Sequence, residues 1–157
     1  MQPHQRRFLS IVVGIVVVGF IVLQLIPFKQ RTNPPVTLQI AWNSPQTETL
    51  VRNACFDCHS NETRWPWYSA IAPVRWLLVD HVEDGRDAMN FSTGDLELDE
   101  IVKEIERGAM PPAYYTPLHP EANLTPTQRE QLIAGLRASL VNLPGGESEQ
   151  EGDLDDD

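Results

Sequence analysis

The chain has 157 residues, enough for one domain with appendages, and a formal net charge of −10. Seven acids and no base fall between Glu147 and Asp157; removing those seven from −10 leaves −3, so the acidity is largely a property of the carboxyl-terminal tail. That balance excludes the basic footprint of a nucleic-acid binder, and thirteen prolines with four tryptophans point to a loop-rich domain with large flat side chains to bury.

Residues 8–26, FLSIVVGIVVVGFIVLQLI, carry no charge, and their 19 positions fall within the ~17–25 that span a bilayer as a helix. The run is longer than the ~7–15 apolar residues of a secretory signal, and no small-x-small cleavage site follows it, so an uncleaved anchor is expected over residues 1–31. Arg6 and Arg7 in front of the run favour an amino terminus kept in the cytoplasm, against a modest counterweight from Lys29 and Arg31 behind it. Residues 32–43, polar and with Pro34 and Pro35, read as a juxtamembrane linker. Ser44 and Pro45 then open a helix, a hydroxyl cap followed by a ring suited to the first helical position. It is expected to run into the cysteine pair with Leu50 and Val51 on its buried side.

The cysteines stand in Cys55-Phe56-Asp57-Cys58-His59, and they are the only two in the chain. C-x-x-C-H is the attachment motif of a c-type haem: two thiols reach the two vinyl groups on one porphyrin edge, and the next residue brings an imidazole to the iron. A disulfide closing so short a loop would constrain the unfolded chain little. A thioredoxin-like site expects a βαβ context, and a zinc site would have to recruit His81 and His119. The motif therefore assigns one covalent haem to Cys55 and Cys58, with His59 as the proximal iron ligand. The anchor agrees with this, since it sends everything behind it out of the cytoplasm, where covalent haem attachment in bacterial c-type cytochromes takes place.

Beyond the motif, Trp65, Trp67 and Tyr68 form an aromatic cluster around Pro66 that suits a wall against the haem or ordinary core. A second helix is expected from Pro73 to about Asp87, its apolar face carrying Val74, Leu77, Leu78 and Val82. A third covers about 96–107, with Leu98, Ile101, Val102 and Ile105 in one stripe and Gly108 placed to end it in a left-handed conformation. Thr125, Pro126 and Gln128 make a capping box for a last helix that carries Leu132, Ile133, Leu136 and Leu140. The haem-binding domain thus spans 44–143, and residues 144–157 read as an acidic disordered tail.

The second axial position decides the function. Met110 lies just past a helix end in Gly-Ala-Met-Pro-Pro, where two prolines stiffen the chain behind it. A thioether is a weak ligand, and His/Met ligation is the pattern of electron-carrying cytochromes. His81 is the alternative distal ligand, followed by His119 and Met89; Arg64 and Arg75 are candidate partners for the haem propionates.

The stretches CFDCHSNETRWPWYS (55–69), IAPVRWL (71–77), EDGRDAMNFS (83–92) and GAMPPAYYTPLHPEANLT (108–125) resemble a bacterial haem-binding domain family related to class I c-type cytochromes, over about residues 45–140. The resemblance implies an all-α, cytochrome c-like domain around one covalent haem, with His59 proximal and Met110 distal. The expected protein is a single-pass resident of the bacterial inner membrane whose haem domain faces the periplasm. It transfers single electrons, is not an enzyme, and meets a protein redox partner with a basic docking face. The alternative is a haem-based sensor or peroxidase-like haem protein with an open or labile sixth ligand.

Overall fold

A computed structural model describes residues 2–143. The α-helices are α1 (Pro3–Leu25), α2 (Pro45–Ala54), α3 (Phe56–His59), α4 (Val74–Ala88), α5 (Leu98–Glu106) and α6 (Pro126–Leu140), with short 3-10 turns at Trp67–Ala70 and Pro120–Ala122. No strand occurs among the described residues, where β pairing amounts to one isolated bridge between Asn90 and Asp95. The protein is all-α, as expected. The acidic tail lies outside the described residues.

The chain divides into two compact units, one of residues 2–32 and 65–81, the other of 33–64 and 82–143. The first holds α1, which at 23 residues is about 34 Å long against a bilayer core of about 30 Å. Among the described residues α1 is the one helix long and apolar enough to cross a membrane, and none of its side chains is buried. Behind α1 the segment 65–81 folds back on its end. The Gln24 side chain pairs with both backbone groups of Ala72, donating to its carbonyl at 3.1 Å and accepting from its N–H at 2.9 Å. Phe28 meets Trp76 edge-on at 5.6 Å, and Lys29 pairs with Asp80 at 2.8 Å.

The second unit is built around α2, α5 and α6, with α6 packed against both of the others. Its core gathers Leu50 and Val51 from α2, Leu98, Ile101, Val102 and Ile105 from α5, and Leu132, Leu136 and Leu140 from α6. These are the stripes read from the sequence. The caps formed as well: Ser44 Oγ accepts from Thr47 N–H at 3.1 Å, both arms of the Thr125–Gln128 box are present, and Gly108 closes α5 at φ +72°.

Three expectations are corrected. On α4 the buried valines are Val79 and Val82, whereas Val74 and Leu77 lie open; the first half of α4 belongs to the unit of α1 and buries Val79 rather than the expected face. Trp67 is 78% exposed, so the Trp-Pro-Trp cluster is not core. The linker is non-helical but docked on the second unit. The N–H groups of Thr37 and Leu38 both donate to the Ser92 carbonyl, and Ile40 and Trp42 pack on the core.

Candidate haem site

The site begins where α2 ends. Cys55 leaves helical geometry at φ −125°, ψ −41°, and α3 then supplies one further turn. The N–H groups of Cys58 and His59 both reach back to the Cys55 carbonyl, at 3.2 and 2.9 Å. One backbone oxygen therefore holds the two thiols and the imidazole together. Both thiols are free and partly exposed. Burial is the main force pushing them up, Cys55 to about 12 and Cys58 to about 11. Among the described residues no group of three or more His, Cys, Asp or Glu side chains gathers as a metal cluster.

His59 is oriented by α4. Its Nδ1 lies 2.7 Å from the Gly85 carbonyl, which can only accept, so the proton sits on Nδ1 and the Nε2 lone pair is left for a metal. Burial holds the ring below the ordinary histidine pKa, with the Gly85 and Met89 carbonyls opposing, and a neutral imidazole is what an iron ligand must be. Gly85 is the reason the helix comes so near. A Cβ there would lie 2.6 Å from the Cys58 carbonyl oxygen. The donor set fits a haem: two thiols one turn apart, then a neutral imidazole whose second nitrogen is tied to the backbone.

Around this turn runs a polar frame. Phe91 N–H donates to the His59 carbonyl at 2.9 Å, and Asn61 N–H donates to Ser92 Oγ at 2.9 Å. Asn90 Nδ2 reaches Asn61 Oδ1 at 3.0 Å, while Asn61 Nδ2 donates to the Pro35 carbonyl at 2.8 Å. Arg86 adds bonds to the Ser60 carbonyl at 2.7 Å and Thr63 Oγ1 at 2.9 Å. The asparagines and serines of 60–63 and 90–92 thus fasten the chain behind the motif to the chain behind α4. Phe56, inside the motif, stacks on Phe91 at 5.5 Å beneath the Arg52 guanidinium.

Asp57, the motif's other internal residue, is buried and accepts four hydrogen bonds from two residues. Arg64 donates to it through its backbone N–H (3.0 Å), Nε (3.1 Å) and Nη2 (3.0 Å), and Tyr115 Oη donates to Oδ2 at 2.9 Å. Burial is the main force pushing the Tyr115 phenol up, with the adjacent carboxylate second. Arg64 is therefore engaged with Asp57, and the Arg75 Nη2 bonds the Ile26 carbonyl at 3.2 Å.

Of the axial candidates, Met110 lies half-buried immediately past α5, its N–H donating to the Glu104 carbonyl at 3.2 Å. The loop it opens is tied at its far side by Tyr115 to Asp57, so the Met110 loop and the Cys55–His59 turn share a hydrogen bond. His119 stacks flat on Tyr115 at 4.0 Å, and Met89 packs against the core. His81 sits half-buried in the first half of α4, in the unit of the anchor.

Sequence reasoning missed Gly85, Asp57, Tyr115 and Arg86. A glycine inside a helical pattern is a legible signal, since it costs about 1 kcal/mol against alanine unless close packing requires it. Tyr115 carried no such mark. No curated protein and no solved structure matches the chain. A family model for the haem-binding domain matches residues 18–138, most of the chain, including the motif, α4 and the Met110 loop. The chain therefore belongs to the haem-binding domain family, and haem is its cofactor.

Proposed function

We propose that this chain is a membrane-anchored monohaem c-type cytochrome that passes single electrons on the periplasmic side and catalyses no reaction of its own. The observation that carries the reading is the single turn on which Cys55, Cys58 and His59 converge, with His59 Nδ1 held 2.7 Å from the Gly85 carbonyl. Cys55 and Cys58 hold the haem covalently, and one motif in the chain means one haem. Bound haem supplies the one-electron couple of its iron. His59 presents a neutral, fixed Nε2 on one side. Met110 would supply the second iron ligand, and a loop pinned at Glu104 and at Asp57 would compensate for the weakness of a thioether ligand. Two protein ligands would leave the iron without an open position for a substrate.

The anchor is α1, with Arg6 and Arg7 retained in the cytoplasm and everything behind α1 delivered to the periplasmic side of the inner membrane. The net charge of −10 suits a protein redox partner with a basic docking face.

Spectra of the purified protein test the ligands. The oxidised form is expected to show the red charge-transfer band of sulfur–iron(III) ligation, and Met110→Ala should abolish it. A band that survives in Met110→Ala refutes the assignment of Met110. A high-spin wild-type spectrum, or ready carbon monoxide binding after reduction, refutes the carrier role in favour of a sensor or peroxidase-like protein. Covalent haem staining on denaturing gels should disappear in the Cys55→Ala, Cys58→Ala double variant.

A further inference from the structure

The unit that holds α1 carries a second site. Where α1 ends, a cavity of about 350 Å³ opens between Gln24, Ile26, Gln30, Arg31 and Arg75. That lies within the ~300–1,000 Å³ of small-ligand clefts. Arg31 bonds Ser69 Oγ through Nη1 at 3.3 Å, and Arg75 bonds the Ile26 carbonyl through Nη2 at 3.2 Å. Neither guanidinium pairs with a carboxylate among the described residues, and Arg75 Nε is buried with no acceptor. A desolvated N–H without a partner is seldom left standing in a native fold. Gln24 cannot answer it, being engaged with both backbone groups of Ala72.

The charge here is local. In a chain of net charge −10, this end of the unit sets Lys29, Arg31 and Arg75 against Asp80, which Lys29 already engages. The same unit exposes apolar surface beyond α1: Trp67 at 78%, Leu77 at 56% and Phe28 at 53%. Exposed tryptophan and basic side chains in the unit of a long apolar helix are the composition of a membrane–water interface, where lipid phosphates lie.

We propose that Arg31 and Arg75 form a seat for the phosphate of an anionic phospholipid, with Trp67 and Leu77 resting in the interface beside it. The guanidinium fork matches phosphate oxygens, and both Arg31 and Arg75 line the cavity. The inference rests on α1 being the membrane anchor.

The test uses the full-length protein, released from detergent for native mass spectrometry with equimolar phosphatidylglycerol and phosphatidylcholine. The wild type should retain phosphatidylglycerol with a preference of roughly thirtyfold, as two interfacial arginines together imply. Arg31→Gln with Arg75→Gln should bring the ratio close to parity at an unchanged haem spectrum. Arg31→Lys with Arg75→Lys, which keeps the charge but not the fork, should retain part of it. Equal retention of the two lipids by the wild type overturns the proposal, as does an unchanged preference in the glutamine variant. Inorganic phosphate bound with the same arginine dependence, and no lipid carried, overturns the lipid assignment in favour of a free anion. Carbonate washing of native membranes separates the two failures: released protein refutes the anchor and the seat together, whereas retained protein without lipid preference refutes the seat alone.

Discussion

A methyl group at position 85 would meet the Cys58 carbonyl oxygen at 2.6 Å and the Cys58 Cβ at 3.1 Å. The residue whose carbonyl orients His59 is thus also the one whose missing side chain lets α4 approach the attachment turn. Gly85→Ala gains helix propensity worth about 1 kcal/mol, but overpacking a tight contact costs about 1–3 kcal/mol. We expect a net loss of stability by denaturant unfolding and a lower yield of covalently haem-stained protein, because the displaced turn carries Cys58 and His59 with it. Wild-type stability together with wild-type haem content in Gly85→Ala would contradict this account of the site. Asp57 makes a related point. It reads from the sequence as an anonymous position between two cysteines, yet its carboxylate collects Arg64 and the Tyr115 hydroxyl. Nothing local in the chain announces a partner 58 positions away.

At the level of elements, α2 delivers the motif and α6 holds α2 in place. Their contact is closest at Thr47 and Gly135, where a Cβ added to Gly135 would fall 2.9 Å from Thr47 Cβ and nearer still to its γ atoms. Thr47 is 4% exposed and Leu136, the next residue of α6, is fully buried, so the clash has nowhere to go. Gly135→Val should therefore cost upward of about 2 kcal/mol, combining overpacking with the low helix propensity of a β-branched residue. Thermal unfolding checks this. A control at exposed Glu130 should leave the midpoint within about a degree or two, since surface changes away from such contacts stay within ±0.5 kcal/mol.

For the whole molecule, the testable consequence is its orientation. The proposed orientation keeps Arg6 and Arg7 in the cytoplasm, so protease added to intact spheroplasts should remove the haem-stained domain and leave a fragment the size of α1 in the membrane. Protection until the membrane is lysed would reverse the orientation and remove the compartment in which covalent haem attachment is expected. None of the α1 side chains is buried, which supports the proposed membrane residence.

Much of this protein was legible in one dimension. Helix positions, caps and stripes follow from local rules: Ser44, Pro45 and the Thr125 box start helices wherever they stand, and a 3.6-residue period marks the buried faces of α5 and α6. C-x-x-C-H is equally local, since the two thiols and the imidazole are set by a single turn. Uncharged length alone marked α1 as a span. What the tertiary structure decided lies between segments distant in sequence. It placed the Gly85 carbonyl on His59, joined the Met110 loop to the motif through Tyr115 and Asp57, and docked the supposed linker on the core. It turned Val74 and Leu77 outward, and it set Arg31 beside Arg75 at the end of the anchor. Such pairings depend on which surfaces meet once helices pack, and close packing selects them by shape and unpaired polar groups rather than by any pattern along the chain.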